Sequence, residues 1–257
     1  MSFAAEDIFA WVSSFIWPFV RISALLLVAP IFGARNVNVR ARLSLGFLLA
    51  LVVAPQLTET ARIDPLSVGG LVVAIHQVII GIAMGFVMQM VFSALTQAGE
   101  SIALSMGLGF ASTMDPVGGV QVPMVSQYYM ILATLLFLAL NGHLVLIELL
   151  LRSFETLPIT PEGLTTENLW AILGFGSTMY AAAVLIALPA IASLLLVNLS
   201  MGVITRAAPQ LNIFAVGFPL TLLAGFIIVL LTMPSLPARI GELLMSAFSL
   251  IQQLTRA

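Results

Sequence analysis

Long apolar tracts alternate with short polar breaks along this chain. Apolar residues fill about 8–31, broken by Pro18 and Arg21, and a shorter tract at 43–57. From 65 to 99 there is no Asp, Glu, Lys or Arg. The same holds for 116–147, 168–205 and 207–238, while 240–254 carries only Glu242. A helix rises about 1.5 Å per residue, so about 20 apolar residues cross a bilayer. The pattern therefore predicts an all-α membrane protein. It would have about six long, partly kinked hydrophobic helices near 8–30, 43–57, 71–95, 127–150, 170–198 and 211–233, followed by a C-terminal helix.

Two tracts, 65–99 and 168–205, exceed one crossing, and 43–57 falls short. Gly81 and Gly85 interrupt the third helix on this reading, as Gly174, Gly176 and Pro189 interrupt the fifth. Kinked or hairpinned helices packed on protein would explain such lengths, and so would tilt. Thr165 stands where it can cap the fifth helix. Pro158, Pro161 and Gly163 break the loop before it. The first loop holds Arg35, Arg40 and Arg42 without an acid, and the fifth holds Arg206 alone. Positive charge favours the cytoplasmic side, which places loops one, three and five inside and the N-terminus outside.

Composition sharpens this picture. Of 257 residues, 61% are hydrophobic and 8% charged, against about 25% charged in soluble domains. The net charge is −2 and all nine basic residues are arginine, so there is no basic footprint for nucleic acid. Cysteine is absent, which excludes disulfides, thiol catalysis and thiolate metal sites. The N-terminal stretch has Glu6 and Asp7 where a cleavable signal has basic residues, and reads as a retained first membrane segment. His76 and His143 have no second ligand at metal spacing, and neither a serine elbow nor a phosphate loop occurs. No catalytic residue, metal or cofactor is expected. Arg21, Glu100 and Glu148 lie in apolar sequence, where pairing or hydrogen bonding to backbone is the expected role. Met84, Met88 and Met90 fall on or near one helical face and read as packing.

One stretch fits neither a membrane helix nor a watery loop. "SMGLGFASTMDPVGGVQVPM", residues 105–124, holds four glycines, two prolines, three methionines and one charge, Asp115. It is greasy, flexible and ill-suited to helix.

Several stretches resemble the FliR family of flagellar biosynthetic proteins, subunits of the type III protein export gate. They are "WPFVRISALLLVAPIFGARNVNVRARLSLG" at 17–46, "AGESIALSMGLGFASTMDP" at 98–116, "LNGHLVLIELL" at 140–150 and "RAAPQLNIFAVGFPLTLLAGF" at 206–226. The last is the most specific, and the resemblance runs from about residue 11 to 250.

The resemblance implies a non-enzymatic subunit that assembles with FliP and FliQ into an export gate in the bacterial inner membrane, at the flagellar basal body. FlhB, and FlhA as well, would be further partners, with unfolded flagellar proteins as the cargo in transit. It also implies two parts: a FliP-like part at 1–160 and a FliQ-like helical hairpin with the C-terminal helix at 161–257. The loop at 106–122 would plug the closed pore, through Met106, Gly107, Leu108, Gly109, Phe110, Met114, Asp115, Pro116, Val117, Gly118 and Gly119. Apolar side chains there would seal against ions, and glycine and methionine would yield to a passing chain. Arg206, Pro209, Gln210 and Asn212 would meet FlhB at the hairpin bend. The homologous subunit of a virulence secretion system shares the architecture. A small-solute transporter would show inverted repeats and a polar midplane site, and neither is visible.

Overall fold

The computed structural model describes residues 5–57, 65, 67–108, 124–208 and 213–255. Among them all regular structure is helical. The helices are α1 (Ala5–Val28), α2 (Val39–Val53), α3 (Val68–Ser105), α4 (Met124–Ala139), α5 (Gly142–Thr156), α6 (Thr166–Ala207), α7 (Ile213–Thr232) and α8 (Leu236–Leu254). Short 3-10 turns, Ala54–Gln56 and Met233–Ser235, follow α2 and α7.

Among the described residues four stretches are long and apolar enough to cross a membrane: Val39–Gln56, Val68–Ser105, Thr166–Ala207 and Val216–Leu254. The pair α4 and α5, bent by 64°, makes a fifth if it is one span. The single helix expected at 127–150 is thus broken. Asn141 lies at the break with φ 56°, in the left-handed region that asparagine tolerates better than most side chains. Its carbonyl accepts from the amides of Leu144 and Val145 (2.9 and 3.1 Å), so α5 restarts at once in a new direction.

The expected interruptions of α3 and α6 do not occur. Both run unbroken, for 38 and 42 residues, with Pro189 inside α6. A proline removes one intrahelical bond, but opening the backbone further in apolar surroundings would orphan many more groups. Thr165 caps α6 as the sequence predicts: its Oγ1 accepts from the Asn168 amide at 3.2 Å. Asn38 likewise caps α2, accepting from the Arg40 amide at 3.0 Å. Arg42 donates to the carbonyls of Phe32 (2.9 Å) and Ala34 (3.2 Å), tying the first loop to α2.

The chain divides into two compact units, Met1–Val91 with Asn141–Gly176 and Leu244–Ala257, and Phe92–Leu140 with Ser177–Leu243. In the first, α3 crosses α1 at Gly81 and Gly85. A Cβ at Gly81 would run into the Arg21 carbonyl oxygen and stand 2.8 Å from the Ala24 Cβ. One at Gly85 would meet Val28 Cβ at 3.0 Å and Ala29 N at 3.1 Å. Two glycines four apart form one notch on a helix face, and α1 backbone lies in it. Met84, Met88 and Met90 are buried, as a packing role requires. In the second unit α3 meets α4 as closely: a Cβ at Gly99 would stand 2.6 Å from Ser126 Cα. Phe92 and Phe137 pack edge to face at 5.7 Å. Tyr128 donates its hydroxyl to Met233 Sδ at 2.8 Å.

Candidate functional site

Of the eleven residues expected in the plug, Met106, Gly107 and Leu108 are described; Gly109, Phe110, Met114, Asp115, Pro116, Val117, Gly118 and Gly119 lie outside the described residues. The three form the stop of α3. The Leu108 amide donates back to the Ala103 carbonyl and the Gly107 amide to the Leu104 carbonyl, both at 3.0 Å. Gly107 has φ +83°. This pair of reversed bonds around a left-handed glycine is a Schellman termination. A side chain at 107 would strain the backbone by about 1–2 kcal/mol.

The stop is braced within its unit by α7. Met106 is fully buried, and its side chain lies against Gly225. A Cβ there would stand 2.5 Å from Met106 Cγ, 2.6 Å from Cε and 2.8 Å from Sδ. Phe218, seven residues earlier on α7, places its ring 3.6 Å from where a Gly107 Cβ would be. Residues seven apart share a helix face. Two stretches picked out separately in the sequence, around 105–108 and 217–226, therefore meet here.

At the expected hairpin bend, Arg206 is exposed in the last turn of α6, where its charge complements the helix dipole. Pro209, Gln210 and Asn212 lie outside the described residues.

Burial singles out one charge among the described residues, Arg21, which is fully buried. Nε donates to Gln77 Oε1 at 2.7 Å. One terminal nitrogen donates to the Ser153 carbonyl (2.9 Å) and Oγ (3.1 Å), and the other to the Leu157 carbonyl at 3.0 Å. The guanidinium lies 4.4 Å from the centre of the Phe154 ring. Arg21 thus caps the end of α5, where unpaired carbonyls and the negative end of the dipole gather. The sequence left pairing and backbone bonding both open for Arg21 and did not show its partners, 56 to 136 residues away. Of the other two candidates, Glu148 pairs with Arg152 one turn on (2.7 Å) at the surface, and Glu100 is exposed. Among the described residues no group of His, Asp or Glu gathers at metal-binding distance.

Long apolar helices, much exposed apolar surface and internal glycine notches define a multi-spanning α-helical membrane protein. Comparison with known sequences narrows the class. Residues 12–247 match the family described as "Bacterial export proteins, family 1". The flagellar biosynthetic protein FliR of Pectobacterium carotovorum subsp. carotovorum is 42% identical over 252 residues, 98% of this chain and 96% of the relative. That of Escherichia coli K12 is 39% identical over 96% of this chain and 94% of its own length. That of Bacillus subtilis 168 is 30% identical over 86% of each. The chain belongs to the FliR family of bacterial export proteins.

Proposed function

We propose that this chain is a non-enzymatic subunit of the flagellar type III export gate in the bacterial inner membrane, and that the segment after α3 plugs its channel. The observation that carries the reading is near-full-length similarity to proteins named for flagellar biosynthesis. Chemistry and surface agree with it. The segment between α3 and α4 combines Phe110, Met114 and Val117 with Gly109, Gly118 and Gly119. That mixture suits a stopper that excludes ions and gives way to unfolded chains. The exposed apolar faces of α6 and α7, such as Leu195, Leu199, Leu223 and Leu230, suit burial against FliP and FliQ. On this reading 1–160 is the FliP-like part and 161–257 the FliQ-like hairpin with its C-terminal helix. Pro209, Gln210 and Asn212 form a cytoplasmic bend that meets FlhB.

Deletion of 109–122, which keeps the α3 stop, tests the plug. The expected result is a gate that copurifies with FliP and FliQ and passes small ions. An assembled gate that stays tight defeats the assignment. Photo-crosslinkers at Gln210 and Asn212 test the bend, and adducts to lipid alone would count against it.

A further inference from the structure

We propose that Met106 and Gly225 form a seat that fixes where the 109–122 segment starts, which makes Met106 a positioning residue. The inference rests on the plug reading and adds to it the contact at the base of the segment.

Three observations converge. First, the α3 stop is a defined turn, because the two reversed amide bonds and the left-handed Gly107 fix the backbone up to the Leu108 amide. Second, the Met106 thioether occupies the space a side chain at 225 would need, since three of its atoms lie within 2.8 Å of that Cβ position. Packing at that distance is possible only over a glycine. Third, Phe218 supports the same turn at Gly107. Seven residues span about 10 Å of helix, so α7 holds the end of α3 at two separated points. The exit point of the segment is then set by α7, and whatever shifts Met106 shifts it.

Ordinary core packing makes a different prediction. It would couple Met106 and Gly225 to stability alone. A seat couples them to the exit position while the fold and assembly persist. The chain has no cysteine, so introduced thiols report without background from this chain, and the wild-type gate supplies the partners' background. In the assembled gate, Met106→Cys with Gly225→Cys is expected to form a disulfide on mild oxidation; absence of the bond overturns the seat. Labelling of Leu108→Cys by an aqueous maleimide reads the exit position. Gly225→Ala, the smallest intrusion, is expected to change that rate and raise ion leak toward the level of the 109–122 deletion, with FliP and FliQ still bound. Met106→Ala, which removes the seated side chain and leaves Gly225 in place, is expected to change the labelling rate as well. An unchanged labelling rate in either variant, with FliP and FliQ still bound, overturns the proposal. A tight 109–122 deletion would instead remove the plug reading, while the disulfide and the labelling rates still decide the seat.

Discussion

Arg21 shows how one residue can hold three distant parts of the chain. Leaving a charge in an apolar interior is costly unless hydrogen bonds replace its water. Here four acceptor contacts and an aromatic face do so, two of them carbonyls at the end of α5, of which the Ser153 carbonyl also accepts from the Leu157 amide. Arg21→Met removes the charge but takes from the Leu157 carbonyl and Gln77 Oε1 the donor that Arg21 supplies, at about 1–3 kcal/mol for each buried group. Relief of desolvation offsets part of that, for a net loss of about 2–4 kcal/mol. Arg21→Lys keeps the charge facing the dipole, but one nitrogen cannot span Gln77, Ser153 and Leu157 as a planar fork does. Its loss should be smaller. Thermal unfolding in detergent should rank wild type above Arg21→Lys above Arg21→Met. A methionine variant as stable as wild type would mean the guanidinium is not the clamp.

At the scale of elements, glycine separates what the sequence showed from what it could not. The notch at Gly81 and Gly85 predicts a graded response. Alanine raises intrinsic helix preference by about 1 kcal/mol over glycine, so only a collision makes it harmful. At Gly81 the obstacle is α1 backbone, the carbonyl of Arg21, which cannot swing aside. At Gly85 the contacts are looser, 3.0–3.1 Å. At Gly176 and Gly202 in α6 a Cβ meets nothing within 4 Å. Gly81→Ala should therefore lower the unfolding temperature, with an overpacking cost of about 1–3 kcal/mol. Gly85→Ala should do so less, and Gly202→Ala should raise it in the isolated chain. Equal effects at 81 and 202 would refute the notch. The apolar tracts, the cap at Thr165 and the buried methionines were legible because each is a local pattern of a few residues. The roles of Gly81, Gly85 and Gly225 were not, because a glycine that breaks a helix and one that admits a neighbour look alike in one dimension. The bend at Asn141 did carry a local mark, the Asn141-Gly142 turn dipeptide, but the apolar run on either side reads as one span and shows no change of direction. The partners of Arg21 depend on which helices meet, which no local spacing encodes.

At the scale of the whole molecule, length and surface together argue for company. Forty-two residues of α6 extend about 63 Å, twice the roughly 30 Å of a bilayer's hydrocarbon core. Tilt alone, about 20° on average, recovers little of that difference. Inside the terminal charges Glu167 and Arg206, neither end is dressed for water. Trp170 and Leu173 near the start are 69% and 67% exposed, and Leu199 and Val203 near the end are 65% and 62% exposed. Apolar side chains beyond the lipid need protein against them. Single cysteines at Trp170, Leu173, Leu199 and Val203 can measure this in the cysteine-free chain. In the isolated protein, reconstituted in vesicles, at least one end should react readily with a membrane-impermeant maleimide applied to both faces. With the proposed partners FliP and FliQ bound, both ends should be protected. Labelling that is as fast with partners as without them would show that the ends of α6 are water-facing in the working complex, and that the excess length has another cause.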